Sequence, residues 1–218
     1  MSPSCRVLVI NPNSNPQVTR GISEALQPLR AAGGPEIACV TLADGPFGIE
    51  TQEHVEQVVL PLRRMIVSRQ DADAFVIACY SDPGLQLCRE ATAKPVFGIQ
   101  ESGMLAALSR GDRVGVIALG PHSIARHLRY LRQLGLIERL AGERPLNLSV
   151  AQSERPEAVD RLLEVGAALR DTDGADVLVL GCAGMARHRR ALEAALSLPV
   201  IDPTQAATAD ALGAVLLA

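Results

Sequence analysis

In the stretch VLVLGCAGMARHRR, residues 177–190, an apolar run ends at Cys182 and a pattern that favours a helix follows. The apolar run is typical of a buried strand, and the cysteine lies between two small residues. An earlier stretch, FVIACYSDPGLQLCREA at residues 75–91, is organised in the same way, with Cys79 at the end of its apolar run. The sequence therefore places a thiol at a strand end twice, and one explanation should cover both.

Strands and helices alternate along the rest of the first half. The predicted strands are RVLVI at 6–10, IACVTL at 37–42, FVIAC at 75–79 and PVFGI at 95–99. The predicted helices are VTRGISEALQPLR at 18–30, TQEHVEQVVLPLRRMIVSR at 51–69 and PGLQLCREAT at 83–92. Alternation of this kind predicts a parallel sheet that is covered by helices on both faces.

The second half of the chain repeats this order of strands. The matched pairs are RVLVI at 6–10 with RVGVI at 113–117, AFVIAC at 74–79 with VLVLGC at 177–182, and KPVFGIQ at 94–100 with LPVIDPT at 198–204. A single matched pair is not evidence of duplication, because buried parallel strands are generally rich in Val and Ile. Three pairs in the same order, at offsets of 107, 103 and 104 residues and with a cysteine in the same place of one pair, favour a duplicated unit.

We therefore predict an α/β fold of two pseudo-symmetric lobes, each a mostly parallel sheet flanked by helices. The first lobe is expected to comprise residues 1–105 and 205–218, and the second lobe residues 106–204. Because open α/β sheets bind ligands at the carboxyl ends of their strands, the active site is expected in the interlobe cleft.

Composition limits the class of partner. Of the 218 residues 48% are hydrophobic, enough for a full core, and 21 Lys and Arg against 24 Asp and Glu give a net charge of −3. Without a basic cluster or an aromatic platform, nucleic acid is not an expected partner, and a small-molecule substrate is. The N-terminus lacks the pattern of a secretion signal and no segment approaches the ~20 apolar residues that span a bilayer, so we expect a cytoplasmic protein without membrane contact.

The five cysteines, at positions 5, 39, 79, 88 and 182, are too scattered for a disulfide framework, and no C-x-x-C pair indicates zinc or redox exchange. We interpret Cys5, Cys39 and Cys88 as small hydrophobic residues, a common role of free cysteine. Cys79 and Cys182 differ because small residues and a predicted helix start follow each. A helix N-terminus stabilises a thiolate and lowers a thiol pKa from ~8.5 to ~3.5–7.5, so both are predicted to be reactive.

Two reactive thiols that face each other suit proton transfer at a carbon next to a carbonyl. One thiolate removes the proton from one face while the opposite thiol delivers a proton to the other face, and the stereocentre inverts. Backbone N–H groups near Tyr80, Ser81, Ala183 and Gly184 are expected to form an oxyanion hole for the enolate. Neither a metal nor an organic cofactor is required.

Five motifs carry a resemblance to a known family. They are INPNSN at 10–15, GPFGIE at 45–50, ACYSDPGL at 78–85, VFGIQESG at 96–103 and LGCAGM at 180–185. With these motifs in the family's order through nearly the whole chain, the sequence resembles the aspartate/glutamate/hydantoin racemase superfamily, and most closely its hydantoin and allantoin racemase branch. The resemblance implies two pseudo-symmetric lobes with Cys79 and Cys182 as the acid/base pair. The substrate contacts that it implies come from Asn11, Pro12, Asn13 and Ile49 and from the N–H groups of Tyr80, Ser81, Ala183 and Gly184.

The chain departs from the family pattern at two places. Many relatives carry a small hydroxyl pair after the first strand of the second lobe, where this chain has Ala118 and Leu119. The first cysteine is followed by Tyr80-Ser81 instead of an aromatic residue and glycine. Both departures change the shape of the predicted pocket. His122, in the loop after Leu119, is interpreted as an exposed histidine without a catalytic role.

We predict a cofactor-independent racemase of a 5-substituted hydantoin or an allantoin-like cyclic amide. The candidate loops NPNSNP, YSDPG and CAGM contain no Arg or Lys to bind a carboxylate, which favours a neutral substrate. A decarboxylase of the superfamily resembles these enzymes but keeps only the second cysteine, so the presence of Cys79 argues for racemisation.

Other functions stay open at this point. They are an amino-acid racemase, a decarboxylase or a cis-trans isomerase of the same superfamily, a redox or thioester enzyme with one nucleophilic cysteine, and a non-catalytic small-molecule binding protein. A thiol nucleophile would usually need a nearby histidine base, and the cysteine motifs supply only His188. A homo-oligomer is also expected.

Overall fold

The computed structural model describes residues 5–217, in which eight strands form two sheets of four. The strands are β1 (Arg6–Asn11), β2 (Glu36–Thr41), β3 (Ala74–Ile77) and β4 (Val96–Gly98) in the first sheet, and β5 (Val114–Ala118), β6 (Leu140–Pro145), β7 (Val177–Gly181) and β8 (Val200–Ile201) in the second. All neighbouring strands are parallel, and the orders β2-β1-β3-β4 and β6-β5-β7-β8 are the same. The predicted α/β fold of two pseudo-symmetric lobes is confirmed.

Helices flank both sheets. They are α1 (Pro16–Ala25), α2 (Gln52–Gln57), α3 (Val59–Ser68), α4 (Leu85–Ala91), α5 (Ile99–Leu108), α6 (Pro121–Gln133), α7 (Val150–Ser153), α8 (Ala158–Asp171), α9 (Arg189–Leu196) and α10 (Pro203–Leu216). Short 3-10 helices occupy Gln27–Leu29, Ile137–Arg139 and Ala183–His188. Within residues 5–217, no helix has both the length and the apolar character that crossing a membrane requires.

The inner strands of each sheet are buried on both faces. Every residue of β3, β5 and β7 is buried, and β1 is buried from Val7 onward. A parallel strand that helices cover on both faces needs a continuous apolar run, which is why the sequence pattern predicts these strands well. The outer strand β6 was not predicted, because its sequence LAGERP is partly exposed along its whole length and carries Glu143 and Arg144.

Two predicted helices are interrupted. The helix expected at 51–69 is two helices, α2 and α3, which meet at Val58. Pro61 has no N–H to bond the carbonyl group four residues earlier, so one continuous helix cannot pass through this segment. The helix expected at 18–30 begins earlier, ends at Ala25 and continues as the short 3-10 helix that contains Pro28.

The last helix returns to the first lobe. α10 packs against β1, β3 and β4 and against α5. The two helices approach closely at Gly103, where a Cβ atom would lie 2.6 Å from the Cβ of Pro203. This packing supports residues 205–218 as part of the first lobe. We propose on that basis that the lobes are divided as expected, into 1–105 with 205–218 and 106–204.

A buried carboxyl group ties the loop after β3 to α5. The Asp82 carboxyl accepts the backbone N–H groups of Gln100 and Glu101, each at 2.9 Å. Burial raises the pKa of Asp82 to about 7. Gly98 lies directly against this carboxyl, since a Cβ atom at Gly98 would come within 2.3 Å of its carbon.

The substitution Gly98→Ala is expected to lower the free energy of unfolding by about 1–3 kcal/mol, because the added methyl group displaces the Asp82 carboxyl from its two N–H donors. The matched control is Gly213→Ala in α10, where a Cβ atom meets nothing within 4 Å and the helix should gain up to about 1 kcal/mol. Urea denaturation measures both. An unchanged midpoint for Gly98→Ala would contradict the position of Asp82.

Candidate active site

A cavity of about 350 Å³ lies between the lobes at the carboxyl ends of the strands. Cys79, two residues after the end of β3 in the first sheet, and Cys182, directly after β7 in the second sheet, both line it. The loops after β1 and β5 and the start of α7 complete the wall. The structure therefore brings together the two thiols that the sequence singled out.

Most of the predicted binding residues line this cavity, namely Asn13, Ile49, Tyr80, Ser81, Ala183 and Gly184. Asn11 and Pro12 are not among its lining residues. The buried side-chain amide of Asn11 donates to Asn13 Oδ1 at 2.9 Å and to Thr19 Oγ1 at 3.0 Å, so it holds Asn13 in place from behind. The carbonyl oxygen of Pro12 packs against Gly45, where a Cβ atom would lie 2.3 Å from it.

A hydrogen bond links the lobes beside the cavity. Glu50, in the loop after β2, accepts the backbone N–H of Val150 at the start of α7, at 3.0 Å. Both residues line the cavity. The loop is close to the second lobe here, since a Cβ atom at Gly48 would lie 3.1 Å from the Val150 side chain.

Each thiol receives a backbone N–H from the residue two positions later. Both cysteines are free and half-buried. The N–H of Ser81 bonds the Cys79 sulfur, and the N–H of Gly184 bonds the Cys182 sulfur. The duplicated fold thus repeats the same contact on both sides of the cavity.

For loss of the proton to solvent, the expectation of lowered thiol pKa values is wrong in direction. Burial raises the pKa of Cys79 to about 11 and that of Cys182 to about 12, and the N–H contacts oppose this only in part. The reason is local geometry. After Cys79 a turn intervenes before α4 begins at Leu85, and the segment after Cys182 is a short 3-10 helix, so neither sulfur lies at the end of a long helix dipole.

The charged groups around the two thiols differ. Arg126 of α6 lines the cavity, and its charge favours the thiolate of Cys79. Glu154 stands near Cys182 instead, where its charge disfavours a thiolate. The sequence analysis missed Arg126 because only the loops were searched for cations. Arg126 lies on α6, outside those loops, so no local motif of the sequence points to it.

A set of hydrogen-bonded side chains around Ser81 was also not predicted from the sequence. Ser81 Oγ is 3.3 Å from His127 Nε2, and His127 Nδ1 is 2.6 Å from Glu143 Oε1. Arg126 Nε donates to the same Ser81 oxygen at 2.8 Å. The ring of Tyr80 packs edge-on against His127, with 5.1 Å between ring centroids. These residues come from three distant segments, so no local motif reveals them.

The remaining candidate residues differ in whether they line the cavity. Leu119 lines the cavity, whereas Ala118 is fully buried in β5. His122 is exposed, as expected, and also lines the cavity. His188 is buried outside it, with Nε2 3.1 Å from the carbonyl oxygen of Ser153. The described part of the chain contains no group of three or more His, Cys, Asp or Glu placed to hold a metal ion.

The chain is similar to known racemases over nearly its whole length. The family model described as Asp/Glu/hydantoin racemase matches residues 7–211. The hydantoin racemase of Paenarthrobacter aurescens is 35% identical over 213 residues, which cover 93% of this chain and 87% of that protein. The solved allantoin racemase from Klebsiella pneumoniae is 31% identical with a TM-score of 0.92, over 98% of this chain and 89% of that chain. The glutamate racemase from Francisella tularensis shares the fold, with 19% identity and a TM-score of 0.72 over 99% and 81% of the two chains.

Alkylation of Cys182 by iodoacetamide, measured in the Cys79→Ser variant, is expected to rise about tenfold per pH unit from about pH 7 to about pH 10, because burial raises the pKa of this thiol. N-acetylcysteine is the control, and its rate should level off near its pKa of ~8.5. Intact-mass spectrometry follows both reactions. A plateau for Cys182 near neutral pH would show that the N–H of Gly184 outweighs burial.

Proposed function

The chain belongs to the Asp/Glu/hydantoin racemase family and is an isomerase, a racemase, and from that premise we propose that it inverts a stereocentre next to a carbonyl by proton transfer between Cys79 and Cys182. The observation that supports the proposal is the shared cavity, which is lined by one thiol that follows a strand of the first sheet and one that follows a strand of the second. A binding protein of the same fold has no need of a thiol on both walls.

The proposed reaction needs one thiolate and one thiol. The thiolate takes the proton from the carbon next to the carbonyl, and the electrons of that bond form an enolate. The opposite thiol then gives its proton to the other face of the same carbon, so that the two sulfurs exchange roles in one turnover. The N–H groups of Tyr80, Ser81, Ala183 and Gly184 are the proposed donors to the enolate oxygen. The chemistry calls for no cofactor.

We propose a 5-substituted hydantoin or an allantoin-like cyclic amide as the substrate. Similarity to a hydantoin racemase at 35% identity and to an allantoin racemase at 31% supports this class. The three candidate loops contain no Arg or Lys, but the cavity wall does contain a cation, Arg126 of α6. Two of its N–H groups are already engaged, by Ser81 Oγ and by the carbonyl oxygen of His122. A neutral ring therefore stays the better fit. The homo-oligomer and the cytoplasmic location stay predictions.

One observation favours a second candidate, an enzyme in which a cysteine attacks a carbonyl group. His127, whose Nε2 lies 3.3 Å from Ser81 Oγ, supplies the histidine near Cys79 that the cysteine motif itself lacks. The presence of Cys182 on the opposite wall argues against it, because a nucleophile needs no second thiol.

One experiment separates the candidates. Pure enantiomers of several 5-substituted hydantoins and of allantoin are incubated with the enzyme in deuterated water. A two-thiol racemase loses optical rotation and incorporates deuterium at the stereocentre, which NMR detects, whereas a thiol nucleophile leaves a mass adduct on the protein. If every compound keeps its rotation, the proposed substrate class is wrong.

Replacing Cys79 or Cys182 with Ser is expected to lower racemisation at least about 100-fold, because a serine hydroxyl is too weak an acid to replace a thiol. Each variant should still exchange the proton of one enantiomer, and the two variants should prefer opposite enantiomers. The matched control is Cys39→Ser, which changes a half-buried thiol outside the cavity and should keep activity. Full activity in either cavity variant would contradict the proposed mechanism.

A further inference from the structure

A buried chain of polar side chains leads away from Cys79, and the proposed reaction uses only Ser81 from it. Arg126 Nε donates to Ser81 Oγ at 2.8 Å, and this oxygen lies 3.3 Å from His127 Nε2. On the other side of the ring, His127 Nδ1 is 2.6 Å from Glu143 Oε1. The side chains of His127 and Glu143 are 2% and 1% exposed, so bulk water does not replace these contacts.

The hydrogen bonds of His127 indicate which of its ring nitrogens carries the proton. A carboxylate only accepts hydrogen bonds, so the Nδ1–H of His127 donates to Glu143 and Nε2 faces Ser81. Tyr80 packs against the ring at 84° between the ring planes, which holds that orientation. The second carboxyl oxygen of Glu143, Oε2, has no hydrogen-bond partner among residues 5–217. Among these residues, the His127 ring is therefore the hydrogen-bond partner of the Glu143 side chain.

Ser81 is placed to pass a proton from Cys79 to His127. The Ser81 side chain is a hydrogen-bond partner of the Cys79 sulfur, and its oxygen accepts from Arg126. While the ring is neutral, the transfer requires that Ser81 Oγ also accepts the Cys79 S–H and donates its own proton to Nε2. When both protons shift by one bond, Cys79 becomes a thiolate and His127 an imidazolium. The Ser81 hydroxyl then donates to the thiolate and accepts from Arg126 and Nε2. The oxygen accepts two hydrogen bonds and donates one in both states, so no hydrogen bond is lost.

We propose that Arg126, His127 and Glu143 are positioning residues that act through Ser81 to make Cys79 the resting thiolate, while Cys182 keeps its proton. The use of this thiolate as the base rests on the proposed function, whereas its formation does not. We name the four residues Ser81, Arg126, His127 and Glu143 the Cys79 relay.

The surroundings of Cys79 support the relay. Loss of its proton to solvent leaves one buried negative charge, which is why burial raises the pKa of Cys79. Transfer of the proton to His127 creates two opposite charges held close together, with Arg126 beside them. Tyr80 stays neutral, since burial raises its pKa well above the usual value. The charge of Asp82 acts against the thiolate, but this carboxyl is engaged by two backbone N–H groups.

Among the residues that the structure describes, no such relay surrounds Cys182. The charged groups that affect this thiol are Glu154 and Cys79, and both disfavour a thiolate. Arg187 donates to the backbone carbonyl of Glu154 and is exposed. The Ser153 side chain is a hydrogen-bond partner of this sulfur and favours its thiolate, but its hydroxyl group donates to the carbonyl oxygen of Val150. The two sides of the duplicated cavity therefore differ in their proton acceptors.

The test measures alkylation of Cys79 in the Cys182→Ser variant and needs no substrate. Iodoacetamide rates are followed by intact mass from about pH 6 to about pH 9, with ultraviolet thiolate absorbance as a second measure. We expect a rate that hardly depends on pH in this range, because the thiolate and the imidazolium form together. Adding His127→Asn or Glu143→Gln should lower the rate near neutral pH at least about tenfold and make it rise about tenfold per pH unit.

Matched controls separate the relay from a structural role. Ser81→Ala should act like His127→Asn, whereas Ser81→Thr keeps a hydroxyl group and should restore the rate. His122→Asn changes another histidine of α6 that lines the cavity and should leave the rate of Cys79 unchanged. In the Cys79→Ser background, His127→Asn should leave the alkylation of Cys182 unchanged. Thermal unfolding confirms that each variant is folded.

The relay is wrong if Cys79 in the Cys182→Ser variant already shows a rate that rises about tenfold per pH unit, or if folded His127→Asn protein keeps the parent profile. These results are independent of the proposed function. If the alkylation profile is as expected but no hydantoin or allantoin racemises, the relay is supported and the proposed substrate class is the part that fails.

Discussion

A negative charge on a sulfur atom that protein surrounds is unfavourable, and both thiols of this cavity are in that position. The proposed proton transfer at carbon nevertheless needs one of them as a thiolate. One backbone N–H at each sulfur favours the thiolate, and the charge of Arg126 also favours the thiolate of Cys79. The groups around each sulfur therefore determine which thiol can carry a charge.

The two sides of the cavity share the arrangement of their backbone and differ in their side chains. The two sheets have the same strand order, and each repeats a cysteine at the end of its third strand with an N–H donor two residues later. The side chains around this common frame are not repeated. Arg126 lies on one side and Glu154 on the other. A symmetric scaffold thus carries an electrically asymmetric site, which suits a reaction in which the two sulfurs must hold different numbers of protons.

Sequence patterns predict the parts of this structure that depend on periodicity and local motifs. The inner strands and Cys79 and Cys182 were found because fully buried strands are continuously apolar and the cysteines end them. His127 and Glu143 were missed because one lies on a helix and the other on the exposed outer strand β6, far from the cysteine motifs. The thiol pKa values were mispredicted because helix starts are visible in a sequence, whereas the depth at which a sulfur atom lies is not.

The return of α10 to the first lobe bears on how the chain folds as it is synthesised. In the proposed division the second lobe is one continuous stretch, so it can complete its sheet soon after it leaves the ribosome. The first lobe emerges earlier but lacks the helix that packs on β1, β3 and β4 until the final residues appear. During that interval an apolar face of its sheet is uncovered and prone to aggregation. A chain that stops short of α10 would therefore leave the N-terminal lobe unfinished, although most of its residues were made first.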